Sequence, residues 1–301
     1  MTFEQTINEA GFGVHNLILD GVVHRIKPPG RKHADAWYVG HQDDSFISGA
    51  FGDWKTGEKH NYCNVGKSEF THEQRKEYAK KMARIADQNK QAIIKRNIIA
   101  KKEVSKLWGQ LTVEGLSNHP YIVRKQIETY NIRLDSTNNL VVPLYDSSHT
   151  LWSLQTITPD GSKRFYKGGR IKGCYYPIGF LNASPSRVIL CEGFATGMSI
   201  YQATNIATVV CFNAGNLEGA AKELRSKHPT SHFIIAGDND QFNQINTGKI
   251  KAETVAKNIR ANMLLPIFKD LSTKPTDFND LHCLESLEAV RKQFMEVCHV
   301  F

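Results

Sequence analysis

The chain has 301 residues, 41% of them hydrophobic, and carries 38 Lys and Arg against 30 Asp and Glu, a formal net charge of +8. That length suggests roughly two domains of ~150 residues, the apolar content excludes general disorder, and the basic balance favours a polyanionic partner, nucleic acid above all. No apolar run reaches the ~18 residues that span a bilayer, and six scattered cysteines with no Cys-x-x-Cys pair and no signal peptide point to a reducing cytoplasm.

Residues 2–10 predict a short amphipathic helix. Strand-like runs at 21–26, 37–41 and 45–54, separated by Lys27-Pro28-Pro29-Gly30 and Gly52-Asp53, predict a small antiparallel β module over residues 1–68. Trp37, Tyr38, Phe51, Trp54 and Tyr62 lie among Arg25, Lys27, Arg31, Lys32, Lys55 and Lys59. Aromatics among cations suit stacking on single-stranded bases, and they suit an ordinary small β core equally well. His24, His33, His41, His60 and Cys63 have no fixed ligand spacing, and no zinc is expected. Gly66-Lys67-Ser68 looks like the end of a P-loop, but Asn61 stands in place of its first glycine and no apolar strand precedes it, so no helicase ATPase is read here.

Thr71-x-x-Gln74 is a possible capping box for a helical pattern reaching about Gln110, the linker of residues 69–107. Residues 108–183 predict an α+β subdomain: a helix and turn at 119–125, strands at 139–145 and 150–157, then a basic run. That run, Lys163 to Lys172, holds Lys163, Arg164, Lys167, Arg170 and Lys172, no acid, two aromatics and two glycines. Clustered charge on a chain that allows close approach suits a nucleic-acid or triphosphate contact.

Residues 184–301 alternate strand and helix. Strands are predicted at 187–191, 207–212, 232–236 and 263–268, with helices between them, which predicts a parallel sheet with helices on both faces. The first strand ends at Glu192-Gly193 and the third at Gly237-Asp238-Asn239-Asp240. Strand C-termini share one edge of a parallel sheet, so Glu192, Asp238 and Asp240 meet there. Three such carboxylates suit Mg²⁺ or Mn²⁺ beside a phosphate, whereas a lone Asp-x-Asp is more often a salt-bridged surface pair. Gly193 lets the chain turn and leaves a helix N-terminus facing phosphate. Lys249 lies just inside the next helix, in reach of a phosphate or simply solvated.

Glu192-Gly193 and Asp238-x-Asp240 resemble the Toprim domain shared by DnaG-type bacterial primases, topoisomerases and some nucleases, and the resemblance runs from about Trp108 to about Glu288. Cys191–Thr196 (Cys-Glu-Gly-Phe-Ala-Thr) and Asp277–Asp280 (Asp-Phe-Asn-Asp) are similar to the primase-like proteins of phages, plasmids and other mobile elements. Val142-Pro143-Leu144-Tyr145-Asp146 resembles the N-terminal subdomain of the primase polymerase core, with Ser-Ser-His in place of the usual following glycine.

The resemblance implies an α/β fold: a Toprim parallel sheet flanked by helices, preceded by the basic subdomain and by a β module where primases carry a zinc ribbon. It implies a DNA primase, a nucleotidyltransferase that makes short RNA primers on single-stranded DNA from nucleoside triphosphates, with a replicative helicase as a possible partner. Asp238 and Asp240 would bind metal, with Asp277 or Asp280 completing the set, and Glu192 would bind metal or act as base. DnaG-type primases usually place a further Asp where this chain has Thr196, which implies fewer metal ligands. A Toprim nuclease using the same metals with water as nucleophile, and a non-catalytic nucleic-acid-binding scaffold, are the competing readings.

Overall fold

The computed structural model describes residues 1–43, 46–54, 56–64, 72–179, 181, 185–243 and 245–298. The chain forms two compact units, Met1–Asn89 and Lys90–Phe301.

The first unit opens with α1 (Phe3–Glu9), capped by Thr2 and Gln5 in a reciprocal capping box. Four strands follow, β1 (His24–Ile26), β2 (Ala36–Asp43), β3 (Phe46–Asp53) and β4 (Lys59–Cys63), paired antiparallel in chain order. The inner face packs Ile26, Tyr38 and Phe51 against Phe3, Ile7 and Phe12. A side chain at Gly49 would collide with the Phe3 ring, and one at Gly40 with Leu19. Strand β4 escapes the sequence pattern because its inward residues, His60 and Tyr62, are only half-buried, which weakens the alternation. The expected capping box at Thr71 and Gln74 lies outside the described residues. The helix it was to open, α2 (His72–Gln110), runs without a break.

In the second unit the later part of α2 buries Ala100 and Val104, the latter against Val141 and Leu154. A 3₁₀ turn (Leu116–Asn118) and α3 (Pro120–Lys125) lead into a second antiparallel sheet. Its strands are β5 (Arg133–Leu134), β6 (Leu140–Tyr145), β7 (Leu151–Ile157) and β8 (Lys163–Phe165), again in chain order. The start of the basic run is the edge strand β8.

The third sheet has the order β13-β12-β10-β11-β9. Strands β10 (Arg187–Cys191), β11 (Thr208–Val210), β12 (His232–Ala236) and β13 (Asn262–Leu264) run parallel, and β9 (Tyr176–Ile178) adds an antiparallel edge that the strand-helix alternation could not foresee. The last parallel strand is shorter than the apolar run 263–268, whose later residues continue as loop.

Buried on both sides, these strands split their side chains by parity. Val188, Leu190, Phe233 and Ile235 face α5 (Ala214–Lys227) and α6 (Thr247–Ile259) through Leu217, Leu224, Ala252 and Val255. Ile189, Cys191, Ile234 and Ala236 face the other way, toward α4 (Phe194–Thr204), α7 (Phe278–Leu284) and α8 (Leu287–Cys298) through Phe194, Met198, Phe278 and Phe294. Each such fully buried apolar side chain is worth about 1.5–3 kcal/mol.

Candidate active site

The position of the site follows from topology. Strand β10 sits in the middle of the sheet, with β12 beside it in parallel, Cys191 opposite Ala236. Glu192 and Gly237-Asp238 therefore leave the sheet at the same level. From β10 the chain turns into α4 on one face, and from β12 it turns into α6 on the other. Adjacent strands whose exits diverge to opposite faces leave a crevice between them, and that crevice is where open α/β sheets bind ligands. The carboxylates of Glu192 and Asp238 lie in it.

The electrostatics of the crevice are those of negative groups crowded together out of water. Burial, then the neighbouring Asp240, pushes the Glu192 carboxyl up to about 7, while the Ala214 amide in the first turn of α5 donates to it and pulls the other way. Asp238 is held well above the usual carboxylate range by burial and then by Glu192, Asp277 and Asp240. Although Asp238 keeps some surface as a residue, its Oδ1 is fully enclosed, and so is Glu192 Oε1. Neither oxygen has a hydrogen-bond donor. Neither Asp238 nor Asp240 forms an ion pair among the described residues, so the surface salt-bridge reading of this Asp-x-Asp does not hold.

The other predicted carboxylates are engaged with the protein. Asp240 Oδ2 accepts from the Gly248 amide at 3.1 Å, and its own amide donates to the Asn246 side chain at 3.0 Å. Asp277 caps α7, accepting from the Asp280 amide at 2.8 Å, and it also accepts from the Thr196 hydroxyl. Asp280 accepts from the Thr276 amide at 3.0 Å and lies 3.6 Å from Lys125 Nζ. The Asn239 amide donates to the Thr276 carbonyl at 2.7 Å, which ties the Asp-x-Asp loop to the Asp-Phe-Asn-Asp loop.

Enclosed carboxylate oxygens without donors are chemically suited to a hard divalent cation. Glu192 and Asp238 would hold it first, with Asp240 and Asp277 beside them. Among the described residues no three His, Cys, Asp or Glu side chains already converge as a complete ligand set.

The basic run divides its labour. Lys163 on β8 is near enough to Asp277 and Asp238 for their charges to act on its ammonium, against the effect of the protein crowding around it. The Lys163 side chain is exposed to solvent. Arg170 lies over the Trp152 ring at 5.1 Å, 3.8 Å from Asp146, and donates to the Lys172 carbonyl. Lys172 lines a cleft of about 560 Å³ with Asn213, Gly215, Gly219 and Lys222 along α5. Arg164 and Lys167 are exposed. Lys249 approaches Glu253 on its own helix at 4.0 Å.

Gly193 has ordinary extended backbone, φ −94° and ψ 148°, so the turn itself does not require glycine. The neighbouring Thr196 hydroxyl does favour it, standing about where a side chain would crowd it, 3.1 Å from the missing Cβ.

Sequence reading missed three supports. Lys125, at the end of α3, faces Asp280 from another element, and nothing in its spacing signals that. Thr196 serves Asp277 as a donor. Asn279, inside the quoted Asp-Phe-Asn-Asp motif, is fully buried and donates to the Lys125 carbonyl at 2.8 Å and to Ser199 Oγ at 2.9 Å, while Ser199 in turn pairs with His282.

Residues 187–288 match the Toprim domain family, and this segment is a Toprim domain. The chain is similar to two Escherichia coli proteins named DNA primase TraC. One is 31% identical over 274 residues, 86% of this chain and 18% of that protein. The other is 30% identical over 270 residues, 85% of this chain and 25% of that protein. The chain thus spans a quarter or less of these relatives' length. Among solved structures, the zinc-binding and RNA polymerase domains of the Aquifex aeolicus primase align with a TM-score of 0.46 at 11% identity, over 88% of this chain and 80% of that one. The RNA polymerase domain of Mycobacterium tuberculosis primase DnaG aligns with a TM-score of 0.43 at 10% identity, over 67% and 82%.

Proposed function

We propose that the chain is the catalytic part of a DNA primase, joining nucleoside triphosphates into short RNA primers on single-stranded DNA. The observation that carries the reading is the pair of enclosed, donor-free oxygens, Glu192 Oε1 and Asp238 Oδ1, at the diverging exits of adjacent parallel strands. Similarity to proteins named DNA primase over most of the chain supports the choice of primase over nuclease.

In this reading Glu192, Asp238 and Asp240 hold Mg²⁺ or Mn²⁺, with Asp277 close by. The bound cation supplies charge neutralisation for the entering hydroxyl and the departing pyrophosphate. If the other acids hold the cation without it, Glu192 would instead act as the base toward a 3′-hydroxyl. Lys163 and Lys125 place positive charge beside the carboxylates, where it would serve a triphosphate. Arg164, Lys167 and Lys172 offer charge to the template or incoming nucleotide. A helicase supplied by another domain or chain and a cytoplasmic setting accord with this role.

Primer synthesis on mixed-sequence single-stranded DNA with labelled nucleotides and Mg²⁺ or Mn²⁺ tests it. Short products that vanish in Glu192→Gln and Asp238→Asn establish the activity and its site. Template cleavage with the same mutant dependence replaces it with a nuclease. Unchanged DNA binding with no chemistry leaves a scaffold.

A further inference from the structure

The first unit resolves the ambiguity of its aromatics residue by residue. Tyr38 and Phe51 are buried in the core with Phe3 and Phe12, and Tyr62 stacks on Phe3 with ring centroids 4.9 Å apart. These three belong to the inner face. Strand register places the remaining groups in one row on the outer face: Arg25 opposite Trp37, Trp37 opposite Gly52, Gly52 opposite Lys59. Trp54 follows two residues after Gly52 and so projects to the same side.

The row is preorganised. Trp37 and Trp54 rings lie 6.3 Å apart and tilted by 31°, and the Arg25 guanidinium sits 4.7 Å over the Trp54 ring. The Trp54 amide donates to the Asp35 carbonyl at 2.9 Å, which fixes the backbone that carries the indole. Held in this way, Trp54 is nonetheless 48% exposed. About half of this large aromatic stays in water on a fixed backbone, beside a second indole and a row of cations, so that half is available to a ligand.

The charge around it is one-sided. Arg31 is consumed by Asp35 at 3.1 Å and Asp53 at 2.5 Å, and Glu58 pairs with His60 at 2.6 Å. Arg25, Lys27, Lys32 and Lys59 are exposed and make no ion pair among the described residues. Asp35 and Asp53 thus share one guanidinium and Glu58 is held by His60, while these four cations are left without an acidic partner among the described residues.

We propose that this outer face is a stacking platform for single-stranded nucleic acid, in which bases lie on Trp54 and Trp37 while Arg25, Lys27, Lys32 and Lys59 meet the phosphates. A pair of indoles flanked by unpaired cations fits a strand whose bases are free to unstack, and a duplex cannot offer those faces. The platform lies wholly within residues 1–64 and stands whether or not the Toprim site makes primers.

The test is quenching of tryptophan fluorescence in the full chain by an oligodeoxythymidylate of about 12 nucleotides, near the upper part of the 4–16 range of single-strand sites. Trp54→Ala is expected to remove part of the quenching and weaken binding by about fivefold or more, the effect of losing one stacked base. Trp54→Phe should retain affinity. Arg25→Gln should lower the slope of log K against log salt by about 0.7, one phosphate contact on a single strand. A Lys163→Ala/Arg164→Ala variant, altered only in the second unit, should still show the Trp54-dependent quenching.

Equal affinity and quenching in Trp54→Ala would overturn the proposal, as would a duplex of mixed sequence that quenches and binds as well as the single strand. Absence of any quenching in wild type at low salt would also overturn it and leave the face to a protein partner. A correctly folded Trp54→Ala, checked by circular dichroism, keeps each of these readings secure.

Discussion

Gly248 packs its bare Cα against the carbonyl of Asp238, at a distance that leaves no room for a Cβ, while its amide donates to Asp240 at 3.1 Å. The second residue of α6 thus sets both acids of the Asp-x-Asp loop, one by contact and one by hydrogen bond. Glycine is needed here for space and not for its backbone freedom, since no positive φ is involved.

In an exposed helix Gly→Ala gains up to ~1 kcal/mol. At position 248 the sign reverses: Gly248→Ala must push α6 away from the loop, at about 1–3 kcal/mol, the usual range for overpacking. Thermal unfolding reads the loss. If the loop is the metal site, stabilisation of the folded chain by Mg²⁺ or Mn²⁺ also shrinks in this variant.

Glu192 and Asp238 differ from the other acids in having enclosed oxygens with no donor. Asp238→Asn and Glu192→Gln remove charge without changing shape. Each is expected to lower primer synthesis by more than about 100-fold, beyond the 10–100-fold typical of groups that only orient ligands. Both should raise the melting temperature measured without divalent cation, because an uncompensated buried charge is lost. A drop in melting temperature under those conditions would mean that the carboxylates are paired within the fold.

The pH dependence follows from the raised Glu192 carboxyl. Its folded value, about 7, lies above the ordinary 4.5, so the folded state binds the proton more tightly than the unfolded state. Stability from this group is full below about 4.5 and falls as pH rises toward about 7. Between pH 5 and 8 the cation-free chain should lose on the order of 2–3 kcal/mol relative to Glu192→Gln, which lacks the titration. His282, whose ring burial holds below the ordinary histidine value, works in the opposite sense, and the wild-type minus mutant difference cancels it. Mg²⁺ added at pH 8 should recover the loss in wild type and not in the mutant.

Asn279 binds the Lys125 carbonyl and Ser199 Oγ from the middle of the Asp-Phe-Asn-Asp motif, so it locks α7 onto α4 and onto the end of α3. Asn279→Ala leaves both partners underbonded in a buried site, at about 1–3 kcal/mol. Because Lys125 and Asp277 move with this strut, the variant should also need more divalent cation for half-maximal primer synthesis. A stability loss with an unchanged metal requirement would make Asn279 a purely structural residue.

Much of the site was legible in the chain because a parallel strand announces itself locally. Val188–Cys191 and Phe233–Ala236 are short apolar runs that end abruptly at Glu192 and at Gly237-Asp238, and such runs bring their ends to one edge in any parallel sheet. The Asp-x-Asp spacing, the basic run and the first helix were readable for the same reason, since each depends on residues near one another. What only the tertiary structure decided involves partners distant in sequence. The register of β10 on β12 brings Glu192 and Asp238 to the same level of the sheet edge, close enough for their charges to interact. Lys125, Thr196 and Asn279 gain their roles from α3, α4 and α7 meeting around Asp277 and Asp280. The antiparallel β9 joined the sheet from a segment that reads as part of the preceding subdomain. In the first unit, composition alone could not separate Trp37 and Trp54 from Tyr38 and Phe51, because side-chain parity in a sheet is fixed by register and not by residue type.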